Sequence, residues 1–271
     1  NFIKKIYRPY GYKINARNAD FIWADKNENY DSIHSRYLKK ILKNIDINAV
    51  RYYPDLKKLY KNISDWQKVK INQIYLNFGS DSAIESTFKI FTSKNTKIIH
   101  TDPSFAMYNV YSQIYRTNTY LLKYKYLIND RIHFDFNSLI KKIKFSNIKI
   151  IFLPNSDSPT GSYLDQDKVK FILNIAKKNE TIVFIDETYF PFFKETSINH
   201  IGNFKNLIIA RSFSKSWGLA GLRVGYLLGS SNIIDFYHRT KPMYETSNFA
   251  VNFLNILFND LDKITMSVER L

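Results

Sequence analysis

A chain of 271 residues with 45% hydrophobic content, including 20 Tyr and 21 Phe, can fill one large domain plus a small appendage and excludes disorder of the low-hydrophobicity kind. It has no cysteine, which excludes a disulfide framework, a thiolate-bound metal and a thiol nucleophile. No apolar run reaches the roughly 18 residues of a membrane span and no signal-peptide layout follows Asn1, so we expect a soluble, cytoplasmic protein with no membrane partner. The formal net charge of +16 comes from 40 Lys and Arg against 24 acids. A nucleic-acid partner, attraction of an anionic small substrate and a lysine-rich wet surface are the three readings of it. The basic residues are spread along the chain, and the pairs Lys39–Lys40 and Lys141–Lys142 sit at helical spacing among Leu and Ile. Amphipathic helices put such lysines in water, so the surface reading leads and no nucleic-acid partner is expected.

Periodicity predicts, in chain order, a helix over Ser82–Phe91, a strand over Lys97–His100, and helices over Phe105–Tyr115 and Asn137–Ile143. A strand over Ile148–Leu153, a helix over Asp165–Lys178, and strands over Thr181–Ile185, Leu207–Ala210 and Val224–Leu228 follow. Helices over Asn232–Arg239 and Ser247–Phe258 end the series. In Asp165–Lys178 the residues Val169, Ile172, Leu173 and Ala176 recur at three- and four-residue spacing, which marks one face. Near-continuously apolar strands alternating with helices predict an α/β fold, a mostly parallel sheet covered on both faces. Chemistry in such a fold sits at the carboxyl ends of the strands. The polar loops there are 155–161, 186–192 and 211–221, with a fourth over 78–82.

The segment Ser212-Phe213-Ser214-Lys215 runs on through Gly218 and Gly221 to Arg223. Hydroxyls and a guanidinium around one point suit a phosphate dianion, and a lysine beside it can become a nucleophile towards an aldehyde. An aldehyde carrying a phosphate describes pyridoxal 5'-phosphate. The bland alternative is a Ser- and Gly-rich surface loop. Asp186 ends a strand, where a buried carboxylate can keep a pyridine nitrogen protonated; an ordinary cap is its alternative. Tyr189, three residues further on, is a candidate donor to the ring's oxygen. Gly79-Ser80-Asp81 offers backbone N–H groups at a helix start. Phe105 is either a ring-stacking residue or core. The five histidines show no metal-ligand spacing, and no metal is expected.

Taken in order, Gly79-Ser80-Asp81, Pro103-Ser104-Phe105, Ser158-Pro159-Thr160-Gly161, Asp186-Glu187-Thr188-Tyr189 and Ser212 through Arg223 resemble the fold-type-I pyridoxal-phosphate enzymes. Asn27-Glu28-Asn29 and Arg51-Tyr52-Tyr53-Pro54-Asp55 extend the resemblance towards the histidinol-phosphate aminotransferase branch. The resemblance implies that Lys215 bonds to the cofactor aldehyde and moves the α-proton. It implies that Asp186 pairs with the ring nitrogen, that Tyr189 donates to the ring oxygen and that Phe105 stacks on the ring. Backbone groups of Ser80 and Asp81, with Ser212, Ser214 and Arg223, are implied at the phosphate. Tyr53 is implied to reach the phosphate of a neighbouring subunit in a homodimer. Where the family carries Asn before Pro-Thr-Gly this chain has Ser158, which leaves Ser158 and Asn155 as the two candidates for the ring oxygen. The expected organisation is an N-terminal segment over 1–30 and a cofactor-binding large domain over 31–271, the small C-terminal domain of relatives missing or truncated after Leu271. The activity expected is transfer of an amino group from an amino donor to a keto or aldehyde acceptor, a phosphorylated small molecule. Decarboxylation of a phosphorylated amino acid is the alternative, and a catalytically dead basic binding protein a third reading.

Overall fold

The computed structural model describes residues 18, 20, 21, 23, 25–126 and 132–270. Most of the expected 1–30 segment, and Leu271, lie outside the described residues. Among the described residues eight strands form one sheet: β1 (Ile74–Asn77), β2 (Lys97–Asp102), β3 (Asn118–Tyr126), β4 (Ile132–Phe134), β5 (Ile150–Pro154), β6 (Ile182–Asp186), β7 (Leu207–Ser212) and β8 (Gly225–Gly229). Their spatial order is β1-β8-β7-β6-β5-β2-β3-β4. The central pairs β3–β2, β2–β5, β5–β6 and β6–β7 are parallel, while β8 runs antiparallel to β7 and β1, and β4 to β3. The helices are α1 (Ser32–Leu42), α2 (Asn48–Arg51), α3 (Lys57–Gln67), α4 (Ser80–Phe91), α5 (Met107–Ile114), α6 (Phe136–Phe145), α7 (Gln166–Lys178), α8 (Ser231–Thr240), α9 (Asn248–Leu257) and α10 (Leu261–Arg270).

Both faces of the sheet are covered, which is why β6, β7 and β8 are buried at every position. Side chains alternate across a strand, and here the alternation divides the core in two. Ile151, Leu153, Val183, Ile185 and Ile209 face one cluster, with Leu59 and Ile63 of α3, Leu173 of α7 and Leu254 of α9. Ile150, Phe152, Phe184, Ile208 and Ala210 face the other, with Ile84 and Phe88 of α4, Tyr108 of α5 and Ile234 of α8. Phe88 stacks on Phe152 with ring centroids 4.7 Å apart. The α7 stripe Val169, Ile172, Leu173 and Ala176 is buried as its spacing predicts, behind an N-cap in which Asp165 accepts from Lys168 N.

Three strands and several helices are additions to the predicted set. β1 is only four residues long and its alternation is too short to read. β3 and β4 form the exposed edge of the sheet, and of β3's described side chains only Leu122 is buried. Along α1 only His34 and Ile41 are buried, a stripe thinner than the period needs.

At the carboxyl edge a charge pair is enclosed. Arg211 of β7 is 2% exposed and Glu187, just past β6, is 1% exposed. Arg211 Nη2 donates to Glu187 Oε2 at 2.8 Å and Nε to the same oxygen at 3.1 Å. Nη1 donates to Gln67 Oε1 at 2.7 Å, and the guanidinium lies 3.6 Å from the Phe190 ring centroid. Glu187 also accepts from Ser197 N and Thr196 Oγ1, at 2.7 and 2.8 Å, which ties down the loop after β6. Removing one partner strands the other charge in the interior. Arg211→Met is therefore expected to lower the unfolding free energy measured in urea by about 3–5 kcal/mol. The double variant Arg211→Met/Glu187→Met is expected to recover most of it, and a single-variant loss under about 1 kcal/mol would show the pair to be dispensable.

Candidate active site

Five chain segments converge where strands β1, β2, β5, β6 and β7 end and β8 begins. They enclose a cavity of about 620 Å³ lined, among others, by Ser80, Phe105, Ser158, Asp186, Lys215 and Arg223. Asp81, Tyr189 and Ser214 line it too. The geometry thus brings together nearly all the residues singled out from the sequence.

One end is built for an anion. Gly79 follows β1 with φ +95° and supplies no side-chain cap to α4, so the first N–H groups of that helix have no partner within it. A Cβ at Gly79 would lie 3.3 Å from Arg223 Nη2, and its absence lets the guanidinium close over the turn. Arg223 itself adopts φ +54°, a conformation that costs a non-glycine residue of order 1–2 kcal/mol. Its Nη2 donates to Phe78 O at 3.1 Å and its Nη1 to Ser214 Oγ at 3.4 Å. Ser212 Oγ accepts from Ser214 N at 3.1 Å and faces the same turn. The side chain of Asp81 accepts from Tyr111 at 3.0 Å, which leaves its backbone for the anion.

Asp186 is 6% exposed at the end of β6. Tyr108 donates to its Oδ2 at 2.8 Å; Thr188 N and Oγ1 donate to Oδ1 at 3.0 and 2.5 Å. Burial pushes the Asp186 carboxyl up, while the Thr188 and Tyr108 hydrogen bonds pull it down. The turn-capping role of an ordinary Asp is present, yet the carboxylate also lines the cavity. Phe105, 42% exposed, is not core. Tyr189 accepts from Asn27 Nδ2 at 2.9 Å, and Lys215 Nζ donates to Lys26 O at 2.5 Å. Asp25–Glu28 thus roof the cavity beside the lysine.

Asn155 is turned away. Its amide spans the backbone of Leu164, donating to O at 3.1 Å and accepting from N at 2.7 Å, so of the two candidates for the ring oxygen Ser158 is the one in the cavity. Tyr53 also lies outside it, 79% exposed and stacked on Tyr244 at 4.6 Å. Sequence reasoning missed Tyr108, whose position on α5 reads as core, and Asp157, which reads as a loop acid. Among the described residues no three His, Cys, Asp or Glu side chains cluster as metal ligands, and no helix is long and apolar enough to cross a membrane.

The family model "Aminotransferase class I and II" matches residues 20–271. A histidinol-phosphate aminotransferase of Thermoanaerobacter sp. (strain X514) is 31% identical over 94% of this chain and 69% of its own length. The crystal structure of a histidinol-phosphate aminotransferase from Sinorhizobium meliloti, in complex with pyridoxal-5'-phosphate, superposes with TM-score 0.77 at 19% identity, covering 90% of this chain and 65% of that one. An L-threonine-O-3-phosphate decarboxylase from Porphyromonas gingivalis superposes with TM-score 0.70 at 22% identity, over 86% of this chain and 71% of its own. The chain spans about two thirds of the length of these relatives.

Proposed function

The chain belongs to the aminotransferase class I and II family, and from that premise we propose that it is a pyridoxal-phosphate-dependent aminotransferase whose substrate is a phosphorylated small molecule. The observation that carries the proposal is the shared cavity of Lys215, a buried Asp186 and the Gly79–Arg223 anion seat. The donor set fits the cofactor. At the seat are helix N–H groups, two hydroxyls and a guanidinium for a dianion; a buried acceptor and an aromatic face lie further in.

On this reading Ser80 and Asp81 N–H groups, with Ser212, Ser214 and Arg223, hold the phosphate. Asp186 holds a proton on the ring nitrogen, and Tyr108 and Thr188 fix the orientation of its carboxylate. Ser158 and Tyr189 donate to the ring oxygen, and Phe105 covers one face of the ring. When bound, the cofactor supplies an electron sink for negative charge at the substrate α-carbon. Lys215, the amine that lines the cavity, would hold the cofactor at its aldehyde and would carry the proton at the substrate α-carbon. Asp25–Glu28 limit the access of water from above. The proposal extends to a cytoplasmic enzyme without a nucleic-acid partner; for the latter, Lys39, Lys40 and Lys141 stand exposed on their helices, as a lysine-rich wet surface requires.

A phosphorylated substrate is supported by the histidinol-phosphate aminotransferase named among the relatives. Transamination and decarboxylation share the cofactor residues and differ in the bond set perpendicular to the ring. Borohydride reduction of the loaded protein is expected to fix the cofactor to Lys215, read by peptide mass spectrometry; an adduct on another lysine would refute the assignment. In single turnover with histidinol phosphate, whose amine sits on a secondary carbon, the pyridoxamine spectrum and a ketone product are expected. Carbon dioxide and an amine from phosphothreonine, without that spectrum, would replace the aminotransferase with the decarboxylase.

The proposal includes a homodimer in which Tyr53 serves the neighbour's phosphate. Its support is the exposure of Ile47, Val50, Tyr52, Tyr53 and Met243, with Tyr53 stacked on Tyr244 next to Met243. Mixed Tyr53→Phe and Lys215→Ala subunits, allowed to exchange, are expected to regain activity through one intact site per heterodimer. No recovery above the separate homodimers would mean that each site is self-contained.

A further inference from the structure

One buried carboxylate in the cavity has no part in the roles given above. Asp157 follows β5 in the loop that carries Ser158, is 3% exposed and lines the cavity. Its backbone is fixed at both ends of the turn, with its N–H on Ser162 O and its carbonyl accepting from Gly161 N, each at 2.8 Å. Three hydroxyls from elsewhere in the fold converge on its side chain. Thr101 of β2 donates to Oδ2 at 2.8 Å, and Ser104, in the turn that presents Phe105, donates to Oδ1 at 2.7 Å. Tyr124 of β3 makes a short hydrogen bond to Oδ2.

An aspartate ringed by donors is an acceptor on both oxygens, the role of the ionised form. Burial pushes this carboxyl up and repulsion from Asp186 adds to it, while the Tyr124, Ser104 and Thr101 hydrogen bonds oppose both; no cation is among the principal influences. Its titratable neighbours are Tyr124 on β3, Tyr108 on α5 and Asp186 on β6. Across the cavity stand Lys215, Arg223 and Asp81, and the roof adds Asp25, Lys26 and Glu28. A buried anion without a countercharge is costly, and the open space in front of it is the cavity itself.

We infer that Asp157 is a second anion of this cavity, a positioning residue whose charge favours the positively charged state of the group bound there. The inference rests on the pyridoxal-phosphate reading and deepens it. It gives the site two carboxylates, one at the ring nitrogen and one beside the Ser158 and Phe105 segments. It also gives a function to the hydroxyl cluster, which holds the charge in place without neutralising it.

The test is the visible absorbance of the cofactor-loaded protein followed against pH. Neutralising Asp157 removes an attraction for positive charge, so Asp157→Asn is expected to lower the midpoint for proton loss from the bound cofactor by about one pH unit, the size of a single nearby charge. Asp157→Glu keeps the charge and is expected to stay close to the wild-type midpoint. Asp157→Ser, also neutral and able to join the hydroxyl cluster, serves if Asp157→Asn does not fold, with the same expected fall. A wild-type midpoint in either neutral variant, or an equal fall in Asp157→Glu, would overturn the inference while leaving the cofactor assignment standing. A wild-type protein that acquires no cofactor band would overturn the assignment and the inference together.

Discussion

Burying Asp186 at the end of the central strand β6 is the constraint on which the rest of the site depends. A carboxylate at 6% exposure must find donors or give up its charge. Tyr108 of α5 and Thr188 of the following turn provide them. The next residue points the other way, as successive strand residues do. Glu187 is therefore directed to Arg211, whose own neighbour Ser212 lines up with the anion seat. Each of the two strand ends thus carries one charged group that locks the sheet edge and one polar group that serves the cavity. The locking pair also holds the loop of Tyr189 through Thr196 and Ser197.

Close backbone approach is the second ingredient. Gly225 begins β8 where a Cβ would lie 2.6 Å from Arg211 O and 2.8 Å from Gly79 Cα. Any side chain there would push β8 away from the α4 start and take Arg223 with it. Gly218, at φ +64°, admits Asn29 and His34 against the lysine loop. The roof segment is anchored further along, where Asp31 accepts from Ser267 at 2.9 Å and from Arg270 at 2.5 Å. α10 thereby steadies the chain that meets Lys215 through the Lys26 carbonyl. This link between the ends of the chain depends on long-range contacts and has no local sequence signal.

The fold was largely legible because both sheet faces are buried. Continuous apolar runs such as Ile182–Ile185 and the regular stripe of α7 are what two-sided burial selects. Edge elements escaped the reading for the same reason: β3 mixes Tyr, Leu and Lys because one face meets solvent. Lys215 and Arg223 were legible through the hydroxyls and glycines that flank them, Asp186 as a carboxylate ending an apolar run, and Gly79 as the start of a polar turn before a helix. Asn155 misled because an amide beside a Pro-Thr-Gly turn serves equally well as a brace for Leu164. Tyr108 and Asp157 were invisible because their importance comes from partners 78 and 56 positions away in the chain.

A crystal structure of the protein loaded with pyridoxal phosphate at neutral pH tests the central claim most directly. The account predicts density continuous from Lys215 Nζ into the cofactor, the ring nitrogen within hydrogen-bond distance of the Asp186 carboxylate, and the phosphate between the α4 start and Arg223. A cofactor bound with its phosphate elsewhere, or with its ring nitrogen facing solvent away from Asp186, would contradict it.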